Sequence, residues 1–484
     1  MHVHFIGVSG TGMGALAMLF RERGARVTGS DVAFDPPIGP ALAAAGIACL
    51  KGYDAAHLEP APDLVVVGNA IRRDNPEALS AEARDLARTS MSGALREHFI
   101  AGRRPVVACG THGKTTTSAM CAWLLHSADL NPGYFIGGLP KNFASGAAIG
   151  RVSRSLLGGA PGKPAPFVIE GDEYDAVYWR KEPKLLDYLG VGGDDVAILT
   201  SVEHDHIDIY PDSASYEAAF ATALAKMPEG GKLFVDAGQP RAVAVARRAC
   251  AAPISLYGTE GHTGAETPEW LAAVGPIDDL GRQTFDVFVG GASCGRFAMK
   301  SPGAHNVRNA LAAIAMGAEC FGVTMAQARA AMATFEGVRR RQDLLGEPAG
   351  VRVYDDFAHH PTAVDETLRA LKSKHPRGRL IAVFEPRSAT ACRSLHQDDY
   401  VRAFGAADRV VLAPLGRTNV PESERLDTGR LARELGEKAT AAQSTDQVLD
   451  VLTGEARPGD TVALLSNGAF ADLHGRLLSA LGAR

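Results

Sequence analysis

No stretch of about 18 uninterrupted apolar residues occurs in the chain, so no segment reads as a membrane-spanning helix. Net positive charge is also missing: 50 Lys and Arg stand against 55 Asp and Glu, a formal charge of −5. Without a global basic field, neither nucleic acid nor anionic lipid is an expected partner, and any anionic ligand must be held by local design. Cysteine is sparse. The seven residues, at positions 49, 109, 121, 250, 294, 320 and 392, are odd in number and contain no Cys-x-x-Cys. That pattern excludes a disulfide framework or zinc knuckle and predicts buried thiols in a reducing compartment. The opening Met1-His2-Val3-His4-Phe5-Ile6-Gly7 lacks the basic and long apolar regions of a secretory signal, which makes the cytoplasm the expected location. There is no fixed-period repeat or low-complexity tract, which excludes a solenoid.

What is present is ordinary globular composition, with 46% hydrophobic and 22% charged residues spread over 484 positions. At roughly 100–200 residues per domain, such a length predicts about two to four domains. Short apolar runs recur, each followed by a segment of helical periodicity: Val3 to Ile6, Leu64 to Val67, Pro105 to Ala108, Phe167 to Ile169, Val196 to Leu199, Val351 to Tyr354, Leu380 to Phe384, Val410 to Leu412 and Val462 to Leu465. Alternating strand and helix predicts an α/β fold with largely parallel sheets. Basic, glycine-containing seams at Ala101-Gly102-Arg103-Arg104 and from Arg339-Arg340-Arg341 to Gly350 divide the chain into units 1–103, 104–340 and 341–484. The stretch 258–284, rich in Gly, Pro, Thr and acidic residues, reads as loops and turns around a β-extension of the middle unit.

The first strand runs into Gly7-Val8-Ser9-Gly10-Thr11-Gly12-Met13-Gly14 and then an Ala/Leu-rich helix, a turn that brings backbone N–H groups to a diphosphate at a helix N-terminus. Asp31 follows at a distance suited to a ribose hydroxyl. The loop is spaced G-x-x-G-x-G-x-G rather than G-x-G-x-x-G, which favours a diphosphate ligand other than a nicotinamide dinucleotide. A tight turn serving helix packing remains the alternative. A second loop, Gly110-Thr111-His112-Gly113-Lys114-Thr115-Thr116-Thr117, lies between a strand and a helix expected to begin near Ser118. It is a compact phosphate loop: backbone donors for a β-phosphate, Lys114 for the β/γ oxygens, and the Thr115 hydroxyl for Mg²⁺. Two acidic clusters, Glu170-Gly171-Asp172-Glu173-Tyr174-Asp175 and Glu203-His204-Asp205-His206-Ile207-Asp208, follow later strands and so fall on the same sheet edge. Glu170 is the natural oxygen ligand for Mg²⁺, and His206 a ligand for a second ion.

These motifs, with Gly303-Ala304-His305-Asn306-Val307-Arg308-Asn309-Ala310 and Asp355-Asp356-Phe357-Ala358-His359-His360-Pro361-Thr362, resemble those of the Mur ligase family, ATP-dependent amide-forming enzymes of bacterial cell-wall synthesis. The resemblance covers essentially the whole chain. It implies three domains: an N-terminal Rossmann-like UDP-sugar domain, a central P-loop ATPase-type domain with a parallel sheet, and a C-terminal Rossmann-like domain that closes over ATP. It implies that Gly110, Thr111, His112, Gly113, Lys114, Thr115 and Thr116 bind ATP, with Asn306 and secondarily Asn309 at the adenine, Arg341 at a phosphate and Asp356 at the ribose. Thr115, Glu170 and His206 become the metal residues, for Mg²⁺ with Mn²⁺ as the alternative ion. Lys114, Glu170, His206 and His360 become the catalytic set, and Ser9, Gly10, Thr11, Gly12, Met13, Asp31 and Asn69 the UDP-sugar set. Some relatives carry a carbamylated lysine beyond the metal histidine; here that region reads Phe220-Ala221-Thr222, with Lys226 nearest, and the feature is not carried over.

Two branches of the family begin in this way, one adding L-alanine to UDP-N-acetylmuramate and one adding the tripeptide L-Ala-γ-D-Glu-meso-diaminopimelate in peptidoglycan recycling. Pro132-Gly133-Tyr134-Phe135-Ile136-Gly137-Gly138-Leu139-Pro140, Asp172-Glu173-Tyr174-Asp175, Glu385-Pro386-Arg387-Ser388 and Ser466-Asn467-Gly468 resemble the tripeptide branch. The expected activity is therefore tripeptide ligation through an acyl phosphate, with the alanine ligase as alternative. Rivals of other classes are a nicotinamide-dependent oxidoreductase and a nucleotide-dependent regulatory protein. Expected partners are UDP-N-acetylmuramate, the murein tripeptide and ATP, with no nucleic acid or membrane, and the chain is expected to be a monomer or weak homo-oligomer. Arg387 and Arg393 are basic candidates for the tripeptide's distal carboxylate, and the segment 339–350, with Gly346 and Gly350, is the candidate hinge.

Overall fold

In a computed structural model, described over residues 1–151, 164–417 and 419–483, the chain forms three α/β units around three main sheets. The first is a five-stranded parallel sheet in the spatial order Ala48–Lys51, Arg26–Asp31, His2–Ile6, Leu64–Val67, Arg88–Ser90. Its central strands His2–Ile6 and Leu64–Val67 are covered on both faces, which explains the unbroken apolar run of Leu64–Val67; in His2–Ile6 the buried His4 is bonded to Thr28 and Glu77. The order reverses between these two strands, so a crevice opens beyond their carboxyl ends. Ser9 to Met13 and Asn69 both lie there.

Among the described residues the middle sheet has ten strands. Its parallel part runs through Trp270–Ile277, Ile254–Thr259, Lys232–Asp236, Val196–Leu199, Arg104–Cys109, Pro166–Glu170 and Gly133–Phe135. Gln283–Val289 and Ala292–Met299 add antiparallel strands at one edge. Much of the Gly/Pro/Thr-rich stretch 258–284 thus becomes strand, with turns between, because Trp270 and Ala272 alternate inward against the core. The C-terminal sheet runs Asp343–Gly346, Arg352–Asp356, Thr461–Leu465, Leu380–Phe384, Arg409–Leu412, Ala439–Ala441, antiparallel only at its first strand.

Hydrophobic packing is not evenly shared among the units. Val3, Phe5 and Leu16 of the first unit belong to one buried cluster with Phe135, Phe167 and Leu185 of the second. The two faces of the C-terminal sheet form separate clusters confined to that unit. The segment 339–350, expected as the hinge, is only partly a linker. Asp343–Gly346 is a strand of the C-terminal sheet, and Gly350 packs against Pro458. Left-handed torsions lie on both sides of that strand, at Gly337 (φ 88°), Arg340 (φ 61°) and Gln342 (φ 46°) before it and at Ala349 (φ 49°) and Gly350 (φ 73°) after it.

All seven cysteines are free thiols; Cys109, Cys121 and Cys392 are buried and the others are partly exposed. Among the described residues no helix is long and apolar enough to cross a membrane.

Candidate active site

The strand Arg104–Cys109 feeds the phosphate loop, and two glycines make the turn possible. Gly110 sits at φ 126° and Gly113 at φ 81°; a Cβ at these positions would lie 2.3 Å from Thr200 Oγ1 and 2.7 Å from Asn309 Oδ1 respectively. The helix then starts at Lys114, not near Ser118, because Gly113 is its left-handed N-cap and helical torsions begin immediately afterwards. The hydroxyl-rich run that suggested a loop is the buried first turn, in which Thr117 Oγ1 donates to Asn309 Oδ1 at 3.2 Å.

Lys114 extends back over the loop. Its Nζ donates to Gly110 O at 2.6 Å, Thr111 O at 3.1 Å and Glu173 Oε1 at 2.9 Å. The same Glu173 oxygen meets His206 Nε2 at 2.8 Å and accepts from the Tyr216 hydroxyl at 3.2 Å, while Oε2 is buried with no partner among the described residues. Burial opposes ionisation of all three groups, but their mutual charges and hydrogen bonds outweigh it. The Glu173 carboxyl is held below its ordinary pKa, and Lys114 and His206 are raised. His206 has φ 54°, a left-handed torsion that a residue with a side chain seldom adopts, fixed partly by its own N–H donating to Asp205 Oδ1 at 2.7 Å.

Beside this triad, Thr115 Oγ1 donates to Glu170 Oε1 at 2.8 Å and Gly137 N donates to Glu170 Oε2 at 2.8 Å. Hydroxyl and carboxylate form the hard-oxygen donor set that Mg²⁺ takes. The residues present therefore fit the ion. His206, however, is turned onto Glu173 in this state.

Thr115, Glu170 and His206 line a cavity of about 340 Å³ together with the loop 111–116, Asn306, Asn309, Arg341, Asp356 and His360. The phosphate-loop residues and the residues expected around ATP are thus brought together across two units. Arg341 lies over the Phe357 ring at 4.6 Å and reaches Thr115 Oγ1 at 3.4 Å; burial lowers its pKa, opposed by Asp356. Asp356 accepts from Gln342 N at 2.7 Å and Ala358 N at 2.8 Å, and burial raises its pKa against the pull of Arg341. Asn306 donates to Pro302 O at 2.8 Å and to Gln342 Oε1 at 3.3 Å.

The N-terminal loop stands apart from this cavity: a Cβ on Gly12 would meet Met91 Sδ at 2.9 Å and Phe135 at 3.9 Å, and Phe135 precedes Gly137, whose N–H bonds Glu170. Asp31 Oδ2 accepts from Ser9 N at 2.8 Å, with the Tyr53 hydroxyl 3.4 Å from Oδ1, so the acid closes its own loop. Asn69 is exposed in the turn after Leu64–Val67. Lys226 reaches Leu186 O and does not line the cavity.

Arg387 packs across Gly468, where a Cβ would lie 2.2 Å from its side chain, and its guanidinium is 3.5 Å from Glu385. Glu385-Pro386-Arg387-Ser388 and Ser466-Asn467-Gly468 are therefore one unit at the carboxyl ends of adjacent parallel strands. Arg393 is instead paired with Glu424 at 3.0 Å. Sequence reasoning gave Glu173, Glu203, His305 and Gln342 no role. Glu173 and Glu203 stood in the quoted acidic motifs, and the prospect of a shared buried partner for Lys114 was the available signal. Gln342, which bridges His305, Asn306 and Asp356, had no signal beyond its place next to Arg341.

Residues 2–103 match the description "Mur ligase family, catalytic domain", residues 109–317 "Mur ligase middle domain" and residues 340–468 "Mur ligase, glutamate ligase domain". The chain belongs to the Mur ligase family. It is accordingly an enzyme of the ATP-dependent, amide-forming ligase class. This Mur ligase is 35% identical to the UDP-N-acetylmuramate–L-alanyl-γ-D-glutamyl-meso-2,6-diaminoheptandioate ligase of Escherichia coli K12, over 99% of this chain and 98% of that protein. It is 34% identical to the UDP-N-acetylmuramate–L-alanine ligase of Roseiflexus sp. RS-1, over 97% and 96% of the two chains. The crystal structure of a murein peptide ligase from Psychrobacter arcticus superimposes with a TM-score of 0.71 at 32% identity, covering 100% of this chain and 99% of that one.

Proposed function

We propose that this Mur ligase joins L-Ala-γ-D-Glu-meso-diaminopimelate to UDP-N-acetylmuramate, at the expense of ATP, in cytoplasmic peptidoglycan recycling. The observation that carries the choice of amine is the Glu385–Ser388 and Ser466–Gly468 pair, whose motifs resemble the tripeptide branch and which fold into one unit around Arg387. The full-length similarity to the E. coli tripeptide ligase supports the same choice.

A carboxylate has no leaving group, so amide formation requires its activation. The lactoyl carboxylate attacks the γ-phosphorus of ATP in line; an O–P bond forms, the bond to ADP breaks, and an acyl phosphate results. The peptide's amine then attacks the acyl carbon and expels orthophosphate. Two anions meet in the first step, and the residues answer that repulsion. Lys114 and Arg341 converge on the phosphate loop, and the loop's backbone N–H groups supply further fixed dipoles. Thr115, Glu170 and His206 would hold Mg²⁺, which supplies charge neutralisation on the phosphate oxygens when bound. His360 lines the same cavity and is our candidate to take the amine's proton. Ser9 to Met13, Asp31 and Asn69 bind the UDP-sugar in the crevice of the first sheet. The domain limits we propose are 1–103, 104–340 and 341–484. Closure of the third domain about residues 337–342 keeps water from the acyl phosphate.

The test supplies ATP, Mg²⁺ and UDP-N-acetylmuramate with either the tripeptide or L-alanine, following orthophosphate and joined product. Tripeptide-dependent product is expected, with ¹⁸O from the sugar's carboxylate appearing in phosphate. Turnover with L-alanine alone refutes the choice of amine, and absence of label transfer refutes the acyl phosphate.

A further inference from the structure

Glu203 is the centre of a second cluster of ligand-type side chains beside the phosphate loop. His112 Nε2 lies 3.2 Å from Glu203 Oε2, and His360 Nδ1 lies 3.6 Å from the same oxygen. One ligand atom from each of the three residues falls within 4.8 Å of the other two. A tetrahedral ion with bonds of about 2.0–2.1 Å holds neighbouring ligand atoms about 3.3 Å apart, so two of the three edges already have ligand spacing.

The surroundings share the character of a metal centre. His360 is 7% exposed, yet neither ring nitrogen is well used: Nδ1 accepts a long 3.3 Å bond from Thr362 N, and the buried Nε2 has no partner among the described residues. The His396 ring stands 4.7 Å from that of His360. Asp399 fixes His396 through Nδ1 at 2.9 Å, leaving Nε2 buried and without a partner among the described residues. A carboxylate orienting one nitrogen while the other stays free is the usual support of a metal-binding histidine. Thr362 Oγ1 donates to the same Glu203 Oε2 at 2.7 Å and restrains the carboxylate.

We propose that His112, Glu203 and His360 bind a divalent transition metal of the zinc class, with His396 as candidate fourth ligand. Imidazole nitrogens with one carboxylate suit Zn²⁺ or Co²⁺ and not Mg²⁺, which takes oxygen ligands. His112 belongs to the phosphate loop, whereas His360 caps the helix Pro361–Lys374 of the C-terminal unit. A bound ion therefore ties the two units together at the loop that must receive the nucleotide, and zinc slows turnover without occupying the Mg²⁺ residues. The inference is independent of which amine the enzyme joins.

The test uses full-length protein stripped of metal by a chelator, titrated with Zn²⁺ against a chromogenic chelator in millimolar Mg²⁺. One tightly held zinc is expected. Loss of a direct ligand should cost at least the roughly 10–100-fold that loss of an outer partner costs, so Glu203→Gln and His112→Asn should weaken binding by that factor or more, while His206→Asn leaves it unchanged. X-ray absorption of the zinc-loaded wild type should count two or more imidazoles and needs no variant to fold. No stoichiometric zinc, undiminished affinity in Glu203→Gln, zinc lost with His206→Asn, or fewer than two imidazoles would each overturn the site.

Discussion

Replacing Glu173 by Gln probes the electrostatic design of the phosphate loop most directly. The Glu173 side chain is 2% exposed and that of Lys114 14%, so solvent screens their 2.9 Å contact little. Removing one partner of a buried pair costs about 3–5 kcal/mol, because the other charge is left uncompensated. The lower end applies here, since Lys114 keeps its bonds to Gly110 O and Thr111 O. Glu173→Gln should thus lower stability by about 3 kcal/mol near neutral pH. The loss depends on pH with a definite sign. Glu173 is depressed in the folded state, so its contribution is present above an unfolded pKa of about 4.3 and vanishes as pH falls through the folded value. His206 is raised, so its share is complete below about pH 6.5 and is lost as pH climbs through its higher folded value. The gap between wild type and variant should be widest between about pH 4.3 and 6.5. Nucleotide should narrow the gap. In the wild type its phosphates must draw Lys114 from Glu173, whereas in the variant they meet an unpaired ammonium. Thermal unfolding with and without a non-hydrolysable ATP analogue and Mg²⁺ should show a larger nucleotide-induced shift in Glu173→Gln, equivalent to about tenfold tighter binding or 1.4 kcal/mol. A shift no larger than that of the wild type would refute the view that Glu173 restrains Lys114 before the nucleotide arrives.

Three further substitutions test neighbouring arguments. Lys114→Ala should abolish phosphate release while leaving UDP-sugar affinity intact by calorimetry, because the N-terminal crevice shares no residue with the phosphate loop. Gly113→Ala places a side chain at φ 81°, 2.7 Å from Asn309 Oδ1, and should cost about 1–3 kcal/mol in denaturant unfolding together with most nucleotide binding. Glu77 is fully buried between His4 Nε2 at 3.1 Å and His57 Nδ1 at 2.7 Å. Burial opposes its charge, but these bonds hold its pKa below the ordinary value. Glu77→Gln should therefore destabilise the first unit by about 3 kcal/mol at neutral pH, and the difference should shrink as pH falls below about 4.3. Unfolding curves that run parallel from pH 7 to pH 3 would count against that assignment.

How much of this was legible in the sequence depends on the range of the interaction involved. The central strands were readable because burial on both faces of a parallel sheet demands continuous apolar runs, as in Leu64–Val67 and Val196–Leu199. Edge strands such as Ala48–Lys51 and Ala439–Ala441, half exposed and short, left no comparable trace. The phosphate loop was readable because Gly110 and Gly113 answer to local torsions, but the start of its helix was misplaced: hydroxyls at Thr115 to Thr117 suggest a turn until their buried partners are known. Gly346 and Gly350 suggested a hinge by composition alone, whereas the torsions at Arg340 and Gln342 are imposed by contacts from outside the segment. Gln342 N is held by Asp356, and the Arg340 guanidinium by Asp355 and the carbonyls of Ser466 and Gly468. Glu173 and Glu203 mark the limit of motif reading. Each lay in a recognisable acidic run, but a run does not say which carboxylate turns inward. That choice is made by partners far along the chain, Lys114 and His206 for one, His112 and Thr362 for the other. The pairing also gives the two carboxylates opposite relations to the nucleotide. Glu173 occupies the ammonium that a phosphate must claim, whereas Glu203 braces the outer side of the loop against the C-terminal helix, so nucleotide entry should loosen the first contact and leave the second in place.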